Sequence, residues 1–216
     1  MQTSATTGYP ARFDVDYPEQ LDRVSTLLRV FYLIPIVILL AILSSETTTQ
    51  YVTEAGEEVT QTSGGIASSL AVATALMIVF RQRYPRWWFD FALEFNRFAH
   101  RVAAYAALLT DEYPSTVEQQ RVHLDVDYPN DVKQDLNRWL PLVKWLLAIP
   151  HIIVLAFLVL GALLAVIVAW FAILITGRYP QALFDYVVGV MRWGLRVQAY
   201  ATLLVTDRYP PFSLSA

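Results

Sequence analysis

Residues 178–210 read RYPQALFDYVVGVMRWGLRVQAYATLLVTDRYP. A Tyr-Pro step opens the stretch, a long apolar pattern with a few charges fills it, and a second Tyr-Pro step closes it. Residues 83–114, RYPRWWFDFALEFNRFAHRVAAYAALLTDEYP, repeat it. Arg83-Tyr84-Pro85, Phe89-Asp90, Arg97, Arg101 and Tyr105 return 95 residues later as Arg178-Tyr179-Pro180, Phe184-Asp185, Arg192, Arg196 and Tyr200. After a one-residue slip, Thr110-Asp111 and Tyr113-Pro114 return as Thr206-Asp207 and Tyr209-Pro210. Identity at charged and Tyr-Pro positions is more than shared apolar composition produces.

Within each block the spacing predicts a helix. Asp90, Glu94, Arg97 and Arg101 fall on one face, as do Asp185, Arg192 and Arg196, with Gly189 in the place of an acid. The rest of the circumference is apolar, which suits an amphipathic helix lying in a membrane interface. The charged rows serve ion pairing and topology in the plainer reading, with Asp90, Glu94 and Asp185 as structural partners. In the functional reading Arg97, Arg101, Arg192 and Arg196 contact anionic headgroups or phosphate.

Outward from these blocks, each copy is preceded by a long apolar stretch. Leu27 to Leu43 holds Pro35, and Ile66 to Phe80 follows a polar loop. In the second copy the apolar stretch runs unbroken from Trp139 to Ile175, 37 residues. A single helix of that length measures about 55 Å, against about 30 Å for a hydrocarbon core. The expectation is therefore a helical hairpin turning near Leu158 to Ala162 at Gly161, with Pro150 standing where Pro35 stood. The polar loop, residues 44–64, carries Glu46, Glu54, Glu57 and Glu58 and no Lys or Arg; alternation about Tyr51 and Val52 predicts a small hairpin there.

FDVDYP (13–18) and LDVDYP (124–129) open the two copies. Their alternation predicts short half-buried strands able to pair with each other. Asp14, Asp16, Asp125 and Asp127 are better read as solvated strand edges than as a cation site.

The expected fold class is an all-α integral membrane protein with short strands at the repeat starts. It has four transmembrane helices in two tandem hairpin repeats, each followed by a long amphipathic interfacial helix. Residues 1–12 are a flexible tail. The first repeat is 13–114, with spans 27–43 and 65–80 and an interfacial helix 86–110. A linker, 115–123, leads to the second repeat, 124–210, with spans 139–158 and 160–176 and an interfacial helix 181–206; 211–216 is a tail.

Composition agrees with a membrane protein: 56% of residues are hydrophobic and only 16% charged. The aromatic load, including six Trp, suits interfacial belts. All sixteen Lys and Arg lie outside the 44–64 loop, so the positive-inside rule puts both termini in the cytoplasm of a multi-pass protein. The first 26 residues lack the basic start of a cleavable signal, so the first apolar run is expected to act as an uncleaved anchor.

Chemistry is sparse. There is no cysteine, hence no thiolate nucleophile or Cys-held metal. His100, His123 and His151 are scattered; His151 sits inside an apolar run, where a polar residue is a proton-relay candidate, but nothing in the sequence pairs with it. No phosphate loop, nucleophile elbow or metalloprotease motif occurs.

IPHIIVL (149–155), WFAILITGRYPQALFDYVVGVMRW (170–193) and LLVTDRYPPFSL (203–214) resemble the bacterial membrane family known as domain of unknown function 4389. The first half reads as a diverged second copy, with Arg81-Gln82 in place of Thr176-Gly177. The resemblance implies a small bacterial inner-membrane protein and no established activity.

The expectation is a non-enzymatic scaffold or accessory subunit that uses no cofactor. Its partners are the bilayer and an anionic lipid or a membrane protein, with self-association plausible and nucleic acid excluded. A small transporter or channel is the alternative, and a lipid-acting enzyme follows it.

Overall fold

The computed structural model describes residues 8–44, 47–52, 58–63, 65–116, 118–129 and 131–215. In chain order the elements are β1 (Ala11–Val15), α1 (Arg23–Ser44), β2 (Thr47–Val52), β3 (Glu58–Ser63), α2 (Ile66–Leu76) and a π turn (Met77–Arg81). They continue with α3 (Arg86–Ala106), β4 (Val122–Val126), α4 (Val132–Asp135), α5 (Pro141–Leu147), α6 (Ile149–Thr176) and α7 (Gln181–Ala201).

The two opening strands pair, as their alternation predicts. β1 and β4 run antiparallel, with Phe13 opposite Leu124. Ala11, Phe13, Val15, Val122, Leu124 and Val126 all point into the core, and the intervening residues face out. β2 and β3 form the expected hairpin with Tyr51 opposite Val59. The turn-like residues 54–57 lie outside the described residues, as do residues 1–7 of the tail.

The sheet β1–β4 packs on α3 and α7, and α1, α5 and α6 pack on the same two helices. Position on α7 shows that these are separate faces, about 100–120° apart round the helix. Arg192 reaches the sheet, donating to the Phe13 carbonyl at 2.8 Å. Tyr186 and Trp193 reach α6, bonding Leu158 and His151. The molecule is thus layered: sheet, then α3 and α7, then the apolar helices.

The apolar layer departs from expectation. The hairpin predicted at Leu158 to Ala162 is absent: α6 runs unbroken through it. Nothing after Pro150 stops the helix, and Pro150 is its second residue, where a missing N–H costs little. Pro150 therefore marks a start, whereas Pro35 lies inside α1. Gly161 serves close packing instead of a turn: a Cβ there would stand 2.6 Å from the Tyr186 hydroxyl. Ala148, between α5 and α6, keeps right-handed helical angles. Among the described residues two helices, α1 and α6, are long and apolar enough to cross a membrane, and Ser68–Arg81 is a shorter apolar helix; four spans are not shown.

The long amphipathic helices form where predicted but end early, at Ala106 and Ala201. The cause is a left-handed leucine just past each end, Leu108 (φ 64°) and Leu204 (φ 57°). Both are buried bulky residues in a conformation that normally suits glycine. Before each helix the chain turns through another left-handed residue, Gln82 (φ 46°) and Gly177 (φ 75°).

Candidate functional site

The left-handed leucines deliver a Thr-Asp pair to a buried cation, and this happens twice. In the first half Arg29 of α1 is 2% exposed. It donates to the carbonyls of Tyr105 and Thr110 at 2.9 and 2.7 Å, pairs with Asp111, and lies 4.4 Å from the centre of the Tyr105 ring. The second oxygen of Asp111 accepts the Asp22 backbone N–H. In the second half Lys144 of α5 has no exposed surface. It donates to the Thr206 carbonyl at 2.7 Å, pairs with Asp207 at 2.7 Å, and lies 5.1 Å from the Tyr200 ring. The second oxygen of Asp207 accepts the Asn137 N–H. A charge sunk in an apolar helix needs such a partner, because desolvation otherwise costs several kcal/mol.

Neither cation is conspicuous among sixteen. The signal that finds them is position: Arg29 and Lys144 lie the same six residues before Pro35 and Pro150, inside runs where a charge is costly.

The four arginines proposed as anion contacts are engaged within the chain, and the engagement is crossed. Arg97 of α3 bonds the Leu124 carbonyl and pairs with Asp125 of β4 at 2.7 Å and with Glu94 at 2.6 Å. Arg192 of α7 bonds the Phe13 and Leu214 carbonyls and pairs with Asp14 of β1 at 3.0 Å. Each helix therefore grips the strand that opens the other half. Arg101 donates to the Ser115 carbonyl at 2.6 Å, and Arg196 to the carbonyls of Ser213 and Ser215. Burial, and then the neighbouring Arg192, disfavour the charged form of Arg196.

The predicted carboxylate partners divide. Glu94 does pair with Arg97, while Asp90 pairs with Arg86 one turn away. Asp185 is exposed on α7. The strand aspartates do what the row acids were expected to do. Asp16 meets His123 at 3.0 Å, and Asp127 takes both guanidinium nitrogens of Arg12.

The Tyr-Pro steps cross over as well. Tyr17 donates to the Tyr179 carbonyl, and Tyr128 to the Tyr84 carbonyl, both at 2.5 Å. Tyr84 itself donates to the Leu203 carbonyl at 2.9 Å. Burial pushes the phenols of Tyr84 and Tyr179 well above the usual tyrosine value, so both stay protonated.

His151 is sealed. Its Nδ1 accepts from the Trp193 indole at 3.0 Å, and its ring stacks on Phe212 at 3.9 Å and 18°. Phe212 and Leu214, from the segment after α7, cover the α6–α7 seam at this point. The matching seam between α1 and α3 is open. It forms a groove of about 930 Å³ lined by Pro35, Leu39, Leu43, Phe91, Phe95 and Phe98, with residues 113–116 and Glu118 along one side.

No curated protein and no solved structure matches the chain. The first half, 13–114, expected as a second family copy, lies outside the family match, which finds one copy. That match is to the family described as Domain of unknown function (DUF4389), and it covers residues 139–213.

Proposed function

We propose that this chain is a non-enzymatic membrane module, a scaffold or accessory subunit built from two related halves. It beds α1, α5 and α6 in one leaflet and turns the β1–β4 face toward the cytoplasm of a bacterial cell. There a partner protein or lipid headgroups meet it.

One observation carries the seating: exposed carboxylates lie level with the middles of the apolar helices. Phe98 packs on Ile36 near the centre of α1, so the adjoining Arg97 holds Asp125 at that level, with 66% of its side chain exposed. Tyr186 bonds Leu158 near the centre of α6, which places the exposed Asp185 there. If α1 and α6 stood upright, these charges would sit at the bilayer centre, where a carboxylate costs at least about 2.5 kcal/mol. With the helices lying along the leaflet, the same charges face water. The length of the helix agrees. The 28 residues of α6 measure about 42 Å, well beyond a core of about 30 Å.

A multi-pass arrangement is the second reading, favoured by the length and apolarity of α1 and α6 alone. A transporter or a lipid-acting enzyme has less support, since the arginines and His151 that would serve them are engaged inside the chain.

The absence of cysteine gives a clean background for labelling. Glu19→Cys, exposed just before α1, and Thr60→Cys in β3, after it, are probed with an impermeant maleimide in right-side-out and inside-out vesicles. Labelling of both from the same side is the expected result. Labelling from opposite sides would overturn the single-leaflet seat and establish a crossing.

A further inference from the structure

The open groove between α1 and α3 has a filled counterpart in the same chain, and the comparison shows what kind of occupant it takes. In the α6–α7 seam the plug is the segment after Tyr209-Pro210. Phe212 stacks on His151, and Leu214 joins the cluster of Ala148, Trp193 and Val197. Leu214 fits because α7 has glycine beneath it: a Cβ on Gly189 would stand 2.9 Å from the Leu214 Cβ and 3.1 Å from its carbonyl oxygen.

In the first half every part of that plug has been replaced. Ninety-six residues before Phe212 and Leu214 stand Thr116 and Glu118, and ninety-five before Gly189 stands Glu94. The apolar walls remain, with Ile36, Phe98 and Val102 in the places of His151, Trp193 and Val197. Residues 113–116 and Glu118 still line the groove, with Ser115 held by Arg101 as the later segment is held by Arg196. The first half thus keeps an apolar trough, gives up its own plug, and acquires two carboxylates at the rim.

We infer that this groove holds one acyl chain of a membrane phospholipid, with an ammonium-bearing headgroup at Glu94 and Glu118. The trough is continuous with the outer face of α1, where Ile38, Leu39 and Ile42 are 54, 49 and 71% exposed. An acyl chain therefore enters sideways from the layer in which α1 is bedded. The volume lies at the upper end of the range of about 300–1,000 Å³ for small-molecule sites. Charge selects the headgroup. Among the described residues lining the groove there is no Lys or Arg, while Glu94, Glu118 and the Tyr113 ring favour a cation. Arg97, bonded to Glu94, is also shared with Asp125. A purely anionic headgroup is disfavoured at this rim.

The inference rests on the membrane seat proposed above, and the test separates the two. The protein is extracted in mild detergent, exchanged into vesicles containing palmitoyl-oleoyl phosphatidylethanolamine or the corresponding phosphatidylglycerol, re-extracted and weighed by native mass spectrometry. The wild-type chain is expected to keep one phosphatidylethanolamine. A triple variant, Glu94→Gly with Thr116→Phe and Glu118→Leu, transplants the plug of the second half and is expected to keep none. A single variant, Leu39→Trp, fills the trough from the other wall and serves should the triple variant not fold. Retention of lipid by both variants, or none by the wild type, would overturn the groove. Equal retention of phosphatidylglycerol would overturn the headgroup assignment. Loss of a dimer instead of a lipid in the variants would give the groove to a second copy and sink the lipid reading. Failure of the wild type to float with vesicles at all would sink the membrane seat itself.

Discussion

Lys144 has no exposed surface, and its ammonium is neutralised by one carboxylate. Such a pair adds little net stability compared with an apolar pair of the same shape, but it is costly to break from one side. Asp207→Asn keeps an oxygen to accept the Asn137 N–H and removes only the charge. The expected loss is about 3 kcal/mol, which for a chain of this size lowers Tm by roughly 6–12 °C. Adding Lys144→Met should restore most of it, because the uncompensated charge goes too. Thermal unfolding of the purified protein in detergent checks both; a single variant as stable as wild type would show that Lys144 does not depend on Asp207. Gln82 makes a related point about residue choice. It holds the left-handed angle that Gly177 supplies in the second half, so that turn is fixed by its surroundings more than by local preference.

At the scale of elements, α3 meets β1 through His100. Its Nδ1 donates to the Asn96 carbonyl at 2.9 Å, and its ring lies 5.5 Å from that of Phe13. Burial holds its pKa below the ordinary value. The neutral form is the one that fits, so stability is full above the unfolded value of about 6.5. It is lost as pH falls through that value toward the lower folded one. Tm of the wild type should therefore drop between pH 7 and pH 5 more steeply than Tm of His100→Gln, and parallel curves would remove His100 from the account. Much about the elements was legible. The strands were written in a period of two, the amphipathic helices in the spacing of Asp90, Arg97 and Arg101, and the β2–β3 hairpin in alternation around Tyr51. Pro150 and Gly161 misled for one reason: each has a local preference that the packing uses differently. The proline opens a helix, and the glycine makes room for the Tyr186 hydroxyl. The clamps at Arg29 and Lys144 and the open groove depend on which distant segments meet. Only the matched positions in the two halves hint at that.

For the whole molecule, the decisive feature is that the halves are crossed. β1 belongs to the first half by sequence but pairs with β4, is gripped by Arg192, and precedes Tyr17, which bonds the Tyr179 carbonyl. The second half returns each contact through Arg97 with Asp125, Tyr128 with the Tyr84 carbonyl, and Arg138 with the Val79 carbonyl at 2.5 Å. Neither half closes its own core: Tyr84, Phe89 and Ala104 share one buried cluster with Tyr179, Phe184 and Leu195. A half expressed alone would expose both its share of this cluster and an unpaired strand edge. Two chains, residues 1–118 and 119–216, should therefore copurify when made together and be degraded or aggregated when made apart. The cut falls in a segment whose covalent continuity none of the crossed contacts requires. Asp14→Asn with Asp125→Asn should weaken the split pair more visibly than the intact protein, because the intact chain keeps its halves at high effective concentration. If either half alone stays soluble in detergent with a sharp unfolding transition, the halves are independent units. The crossed contacts would then be incidental to folding.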